Sequence, residues 1–323
     1  MSQMLRWGIL GTGMIARKFA GEVTEAYPGC LAATGSRRQE SADGFAVEFG
    51  GKGVDGYEAV LTNPEVDAVY IALPNGLHRE WSIMAMEAGK HVLCEKPIAC
   101  NAREAEEMFK VAARTGRTLV EAFMYRTYPA IENLIGRVRG GELGDLCLIR
   151  SNFSFARDID PGDARYHPSQ AGGGLMDVGC YCTNFCRALT GQEPTEASAI
   201  AHIHESGVDD YAAGLLRFGE NTLATFTCGM TVKNDWSTYI AGTEGQIHIE
   251  SPWFCDGSFT IVRPQGVDLI EIPADKDAYA LEAEAFASAV SGSATPWISR
   301  EDTVGNMRTL DQLRRSAGVP FPE

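Results

Sequence analysis

The sequence predicts an α/β protein, with a parallel, doubly wound sheet over the first third of the chain and an antiparallel sheet later. Three observations lead there. Strand-like and helix-like runs alternate up to residue 123, the rhythm of parallel strands joined by crossover helices. A Gly-x-Gly-x-x-Ala pattern, Gly11 to Ala16, stands at the first strand-to-helix junction. From residue 211 to 272, six strand-period runs follow one another with Gly and Asn turns and no helical segment between them.

Residues 5–10 are a short apolar run and make the first strand; the helix after Gly13 carries Ile15, Phe19 and Val23 on one side. Residues 31–34 read as the second strand and 41–49 as the second helix. Asn63-Pro64 turns the chain into a third strand, VDAVYIALP, residues 66–74. Residues 77–88 are helical and stop at Gly89; HVLCEKP, residues 91–97, is the fourth strand. Asn101 caps a helix to residue 114, and TLVEAF, residues 118–123, is the fifth strand. A helix at 130–139 and a strand at 147–155 precede an irregular stretch, which leads into a helix at 176–189. After the antiparallel run come helices at 278–290 and 300–316, the last with Ser299 and Asp302 spaced as a capping box.

Composition narrows the function. With 28 basic and 43 acidic side chains the net charge is −15, which repels phosphate backbones and excludes nucleic-acid binding as the main activity. A phosphate-bearing ligand then needs a local basic pocket. No apolar run has the length of a membrane span, and the N-terminus lacks a cationic region and a cleavage site, so a cytoplasmic protein with no membrane partner is expected. Nine cysteines fit that compartment as reduced thiols. Cys180, Cys182 and Cys186 cluster without Cys-x-x-Cys or histidine spacing, so no metal is expected.

The glycine loop has a physical role. Gly11 permits the tight turn, Gly13 lets a diphosphate approach the backbone, and Ala16 lets the helix pack on the sheet. With Thr12, Met14 and Ile15 the loop offers free N–H groups at a helix N-terminus to a dinucleotide. At the end of the second strand, NAD-selective proteins carry Asp or Glu for the ribose diol. Here Gly35-Ser36-Arg37-Arg38 stands instead, and the hydroxyl of Ser36 with the guanidinium of Arg37 suits the 2′-phosphate of NADP(H).

A set of motifs now comes together: Gly11 to Ala16, Tyr70-Ile71-Ala72-Leu73-Pro74-Asn75 with His78, and Glu95-Lys96-Pro97. Gly172-Gly173-Gly174 with Asp177 and Tyr181, and Gly242-Thr243-Glu244-Gly245, complete it. In this order the set closely resembles the Gfo/Idh/MocA oxidoreductase family. The resemblance implies an α/β Rossmann domain plus an α+β domain with an open, mostly antiparallel sheet. It places an NADP-binding domain at residues 1–123 and a substrate-binding and oligomerisation domain at 124–299, with the helix at 300–316 packing back on the first. Leu73, Pro74, Asn75, His78, Glu95, Lys96 and Pro97 are implied on the cofactor side, with Lys96 reaching substrate and nicotinamide across a peptide that is often cis.

Many family members carry His where this chain has Tyr181, which makes it similar to the glucose–fructose oxidoreductase and dihydrodiol dehydrogenase branches. A phenol titrates near 10, and a neighbouring ammonium lowers it by about 1–3 units, so Lys96 can poise Tyr181 as general acid/base. Asp177 lies one helical turn before Tyr181 and is expected to orient Lys96 or the substrate; Asn184 continues that face. Arg165 is a further candidate substrate contact. The expected activity is NADP(H)-dependent hydride transfer to or from a sugar, a sugar derivative or a cyclic diol, a polyol or carbonyl substrate. A trans-dihydrodiol dehydrogenase is the alternative within the class, and a non-catalytic dinucleotide- or sugar-sensing regulator the alternative outside it. Leu215, Phe226, Tyr239, Ile247 and Ile249 put too much apolar surface on the antiparallel sheet for two solvated faces, so a homodimer or dimer of dimers is expected.

Overall fold

The computed structural model describes residues 4–160, 162–233 and 236–321. The chain begins β1 (Trp7–Leu10), α1 (Met14–Ala26), β2 (Leu31–Ser36), α2 (Gln39–Phe49), β3 (Lys52–Asp55) and α3 (Glu58–Leu61). It continues β4 (Ala68–Ile71), α4 (Asn75–Glu87), β5 (His91–Glu95), α5 (Ala102–Thr115), β6 (Leu119–Ala122), α6 (Pro129–Arg139) and β7 (Leu146–Ser154). A π turn, Leu175–Gly179, opens α7 (Cys180–Thr190), followed by β8 (Glu196–Ile203), β9 (Asp209–Phe218), β10 (Thr222–Gly229) and β11 (Thr238–Gly242). The chain ends with β12 (Gln246–Ile249), β13 (Ser258–Arg263), β14 (Gly266–Glu271), α8 (Ala278–Ser291) and α9 (Arg300–Ala317).

Two compact units result. The first takes the chain up to Ala99, then Arg103–Thr127 and Lys276–Thr303. Its sheet is wholly parallel in the order β3-β2-β1-β4-β5-β6, so the carboxyl ends of β1 and β4 meet where the strand order reverses. β1, β4 and β6 are buried along their whole length, as continuous apolar strands between helical layers must be. β3 escaped the sequence reading. It is a half-exposed edge strand with Lys52 and Gly53 and no apolar alternation, and β2 alone pairs with it.

α8 and the first turn of α9 belong to this unit. Tyr279 N donates to Glu22 at 2.8 Å, Tyr27 O–H donates to Glu284 at 2.9 Å, and Phe286 reaches Trp7 at 5.4 Å. α9 belongs from Val304 onward to the second unit. There Asn306 sits against α7: Thr183 Oγ1 donates to its Oδ1 at 2.8 Å, and its Nδ2 donates to Cys180 O at 3.1 Å. Asn306 and Arg314 are fully buried on this helix, and Arg314 donates to Cys100 O at 2.9 Å and to Pro320 O at 2.7 Å. Ser299 does cap the helix, accepting from Asp302 N at 3.1 Å, but the Asp302 carboxylate pairs with Arg126 instead of closing the box.

The second unit takes Cys100–Ala102, Tyr128–Asp275 and the chain from Val304. Its eight strands run β14-β13-β12-β11-β7-β10-β9-β8, antiparallel throughout except for β7 with β10. One face carries Ile149, Leu216, Phe226, Ile240 and Ile247, all buried. The other carries Ile200, Leu215, Val267 and Leu269, all exposed. Phe226, Ile247 and Ile249 therefore belong to the covered face, and only Leu215 and Tyr239 of the five apolar positions point to the open one. Register decides this: Thr225 and not Phe226 pairs with Leu215, and His248 pairs with Tyr239.

Among the described residues no helix is long and apolar enough to cross a membrane, and no group of three His, Cys, Asp or Glu side chains could hold a metal ion. The clustered cysteines are buried, and burial pushes the Cys186 thiol up to about 12.

Candidate active site

The glycine loop and the end of β2 line one cleft of about 640 Å³ in the first unit, together with Leu73, Pro74 and Tyr57. Gly11 has φ +102°, and a Cβ there would lie 2.8 Å from Ala72 O. Gly13, the residue before α1, is different: a Cβ there would meet nothing within 4 Å. Its bare backbone faces open space at a helix N-terminus, which is the cradle a diphosphate requires. Met14 is 58% exposed on the first turn, and Thr12 and Ile15 are half-buried beside it. Asn75 opens α4 directly after Pro74.

Ser36 is buried at the end of β2 and Arg37 and Arg38 are exposed on the cleft wall. No carboxylate takes the ribose position among residues 35–38. Burial pushes the Tyr57 phenol above its ordinary pKa, and the positive charge of Arg37 on the same cleft wall opposes that shift. Tyr57 packs edge-on against Trp81 at 4.9 Å. Sequence reasoning missed it because it stands far along the chain from Ser36. Only the pairing of β3 with β2, closed by Gly56 N donating to Ser36 O at 2.8 Å, brings it back. The cleft's residues fit NADP(H).

Lys96 is half-buried just past the end of β5, and its peptide to Pro97 is cis. The two neighbours expected at the cofactor do other work. His78 is fully buried, with Nδ1 2.9 Å from Pro97 O and Nε2 2.8 Å from Leu73 O. Burial lowers its pKa to about 4, and the neutral imidazole, with a single N–H, donates to one of the two carbonyls. Glu95 is buried, accepts from the Tyr70 hydroxyl and from Lys96 N at 3.3 Å, and so turns inward. Glu121 accepts from Ile98 N at 2.9 Å and holds the strand of chain beyond Pro97. The apolar run before Lys96 hides both roles, since neither carboxylate nor imidazole shows its direction in a sequence.

Arg165, Asp177, Tyr181 and Asn184 all belong to the second unit. Asp177 lies in the π turn and Tyr181 in the first turn of α7, so the helix expected at 176–189 is interrupted where the candidate residues stand. Arg165 Nε donates to Asp177 at 3.0 Å while its terminal nitrogen bridges Asp163. Arg165 thus shares its charge between Asp163 and Asp177 and ties the preceding loop to the π turn. Asp209, which the sequence did not single out, anchors the same turn: its buried carboxylate accepts from Leu175 N at 2.6 Å. Burial raises its pKa to about 7. Gly173, at φ +116°, is forced by this contact, because a Cβ would lie 2.1 Å from Asp209 Oδ1. Tyr181 is 6% exposed, edge-on to Phe153 at 5.1 Å and to Trp253 at 5.6 Å, and Asn184 is fully buried.

A doubly wound parallel sheet whose first glycine turn opens a phosphate cradle, followed by a mostly antiparallel sheet, defines the class: a two-domain, dinucleotide-dependent oxidoreductase. Residues 5–123 match the Gfo/Idh/MocA model described as an oxidoreductase family with an NAD-binding Rossmann fold, and residues 132–248 match its C-terminal domain. The chain belongs to the Gfo/Idh/MocA oxidoreductase family. It is 35% identical to a D-xylose 1-dehydrogenase (NADP(+)) of Haloferax volcanii over 97% of each chain. It is 30% identical to the trans-1,2-dihydrobenzene-1,2-diol dehydrogenase of Homo sapiens, over 99% of this chain and 98% of that one. A 3-ketoreductase from Actinomadura kijaniata, solved with NADP and TDP-benzene, superposes with a TM-score of 0.89 at 30% identity, over 97% of this chain and 98% of that one.

Proposed function

We propose that this enzyme oxidises or reduces a sugar, a sugar derivative or a cyclic diol with NADP(H), Tyr181 exchanging the proton of the reacting oxygen and Lys96 assisting it. When bound, NADP(H) supplies or accepts a hydride at its nicotinamide. Gly11, Thr12, Gly13, Met14 and Ile15 would hold the diphosphate, Ser36 and Arg37 the 2′-phosphate, and Leu73, Pro74 and Asn75 the side of the cleft beyond β4. Lys96 supplies an ammonium at a strand end, which lowers a neighbouring phenol's pKa and donates to the substrate. Asp177 takes a positioning role, held by Arg165; Asn184 is a candidate polar contact to substrate.

The observation that carries the reading is the corner made by Ser36, Arg37 and Tyr57, which selects a phosphorylated ribose over a bare diol. The names of the relatives support the substrate class, and the dihydrodiol dehydrogenases among them favour a trans-diol as second reading. Initial rates with NADP(+) and D-xylose or trans-1,2-dihydrobenzene-1,2-diol, and with NADPH and a panel of keto sugars, test it. Turnover of at least one is expected. Tight NADPH binding with no turnover across the panel would overturn the enzymatic reading in favour of a regulator.

A second copy of the chain is proposed to cover the open face of the eight-stranded sheet. Ile200 is 82% exposed, Val267 66% and Leu215 59%, more apolar surface on one sheet face than a monomer ordinarily leaves wet. Arg150 lies 4.5 Å from the Tyr239 ring centroid amid them and supplies a polar contact. Light scattering at micromolar concentration should give a dimer or tetramer mass; a monomer overturns the proposal.

A further inference from the structure

Within the second unit, β7 pairs with β11 only as far as Ser151, opposite Thr238. Past that register two indoles take main-chain carbonyls of the strand end. Trp253 Nε1 donates to Asn152 O at 2.9 Å and Trp236 Nε1 donates to Ser154 O at 2.7 Å. Both rings are thereby fixed in orientation, which removes much of the ordering cost of any contact they make. Trp253 is fully buried and stacks on Phe153 at 5.4 Å and 12°. Phe153 is the hub: Tyr181 meets it edge-on at 5.1 Å, and Trp236 and Phe254 each lie 6.2 Å from it.

The outer pair differs from the rest. Trp236 is 37% exposed and Phe254 41%, with centroids 5.4 Å apart and ring planes tilted by 54°. A core would have buried these rings, and a random surface would not have pinned an indole N–H to a strand carbonyl. Two open aromatic faces at that tilt make a shallow V one ring away from Tyr181.

We infer that Trp236 and Phe254 form a substrate platform that receives the flat apolar face of a ring, either the C–H face of a pyranose or the carbocycle of a cyclic diol. The inference rests on the reading of Tyr181 as the proton-transfer residue and deepens it. An aromatic face attracts an apolar ring face and leaves the ring's equatorial hydroxyls outward, towards polar groups. The platform thus selects cyclic over acyclic substrates. Neither residue exchanges a proton or touches the reacting oxygen; both act on ring affinity.

The test is equilibrium binding with no chemistry possible. The protein is saturated with NADPH and titrated calorimetrically with ligands already in the alcohol state, so no hydride can move: methyl β-D-xylopyranoside, trans-1,2-dihydrobenzene-1,2-diol and, as acyclic control, xylitol. Trp236→Ala and Phe254→Ala should each weaken a ring ligand about two- to tenfold and leave xylitol within twofold. Trp236→Phe, which keeps a ring, should retain most of the affinity and serves if the alanine variant does not fold. A larger loss with the dihydrodiol identifies a carbocycle as the ring received; a larger loss with the xyloside identifies a pyranose. No ring-ligand binding by the unmodified protein, unchanged ring affinity in both alanine variants, or an equal loss with xylitol overturns the platform. Because the readout is a Kd, absence of turnover on these compounds would overturn the enzymatic reading while leaving this one standing.

Discussion

Replacing Arg37 by Ala should remove the preference for NADP(H) over NAD(H) while sparing NAD(H) itself. Arg37 is exposed on the cleft wall that the buried Tyr57 also lines. A charge-assisted hydrogen bond is worth about 1.5–3 kcal/mol when partly shielded, and exposure argues for the lower half of that range. At about 1.4 kcal/mol per decade, the variant should lose about 10- to 40-fold in kcat/KM for NADP(+) and less than about twofold for NAD(+). The contribution should also shrink at high ionic strength, because the Debye length falls to about 3 Å at 1 M salt. Steady-state kinetics with both cofactors at low and high salt give every term. An unchanged NADP(+)/NAD(+) ratio in Arg37→Ala would refute the assignment of the corner.

Three further outcomes are expected. Tyr181→Phe should cut kcat by about 10²–10⁴-fold and leave NADPH affinity unchanged by fluorescence titration, with Lys96→Met at least as damaging and the double variant little worse than the worse single one; near-full turnover in Tyr181→Phe would place the proton elsewhere. Gly173→Ala forces a Cβ to 2.1 Å from Asp209 Oδ1 at φ +116° and should cost about 2–4 kcal/mol in chemical denaturation, part of it recovered by adding Asp209→Ala. Asp209 itself sets a pH dependence. Its folded-state pKa of about 7 lies above the ordinary carboxylate value, so its contribution to stability is full below about pH 4 and is lost as pH rises through 7. Asp209→Asn stays neutral and should flatten the fall of Tm between pH 5 and 8; an unaltered slope contradicts the burial argument. Asp210 and Arg314 act on the same carboxyl, raising and lowering its pKa respectively, and remain in the variant.

Much of this molecule was legible locally. The apolar strands of the parallel sheet announced themselves because both faces are buried, and Gly11 because only glycine tolerates the turn there. The strand end before Lys96 and the helix that carries Tyr181 were legible in the same way. Where a polar side chain turns was not legible. His78 and Glu95 are turned inward by partners that the sequence does not show, loop carbonyls for the one and the Tyr70 phenol for the other.

By itself the sequence determined what depends on neighbours in the chain: the strand-and-helix rhythm, the phosphate loop, the basic end of β2 and the identities of the candidate Lys–Tyr pair. Backbone conformation and periodic burial are local demands and leave local marks. Only the tertiary structure decided that Tyr57 lines the same cleft as Arg37, that Asp209 and Asn306 brace the turn before Tyr181, and which face of the second sheet is open. Those are pairings between residues far apart along the chain. Strand register and the demand of buried donors and acceptors for partners settled them, conditions that exist only once the chain has folded.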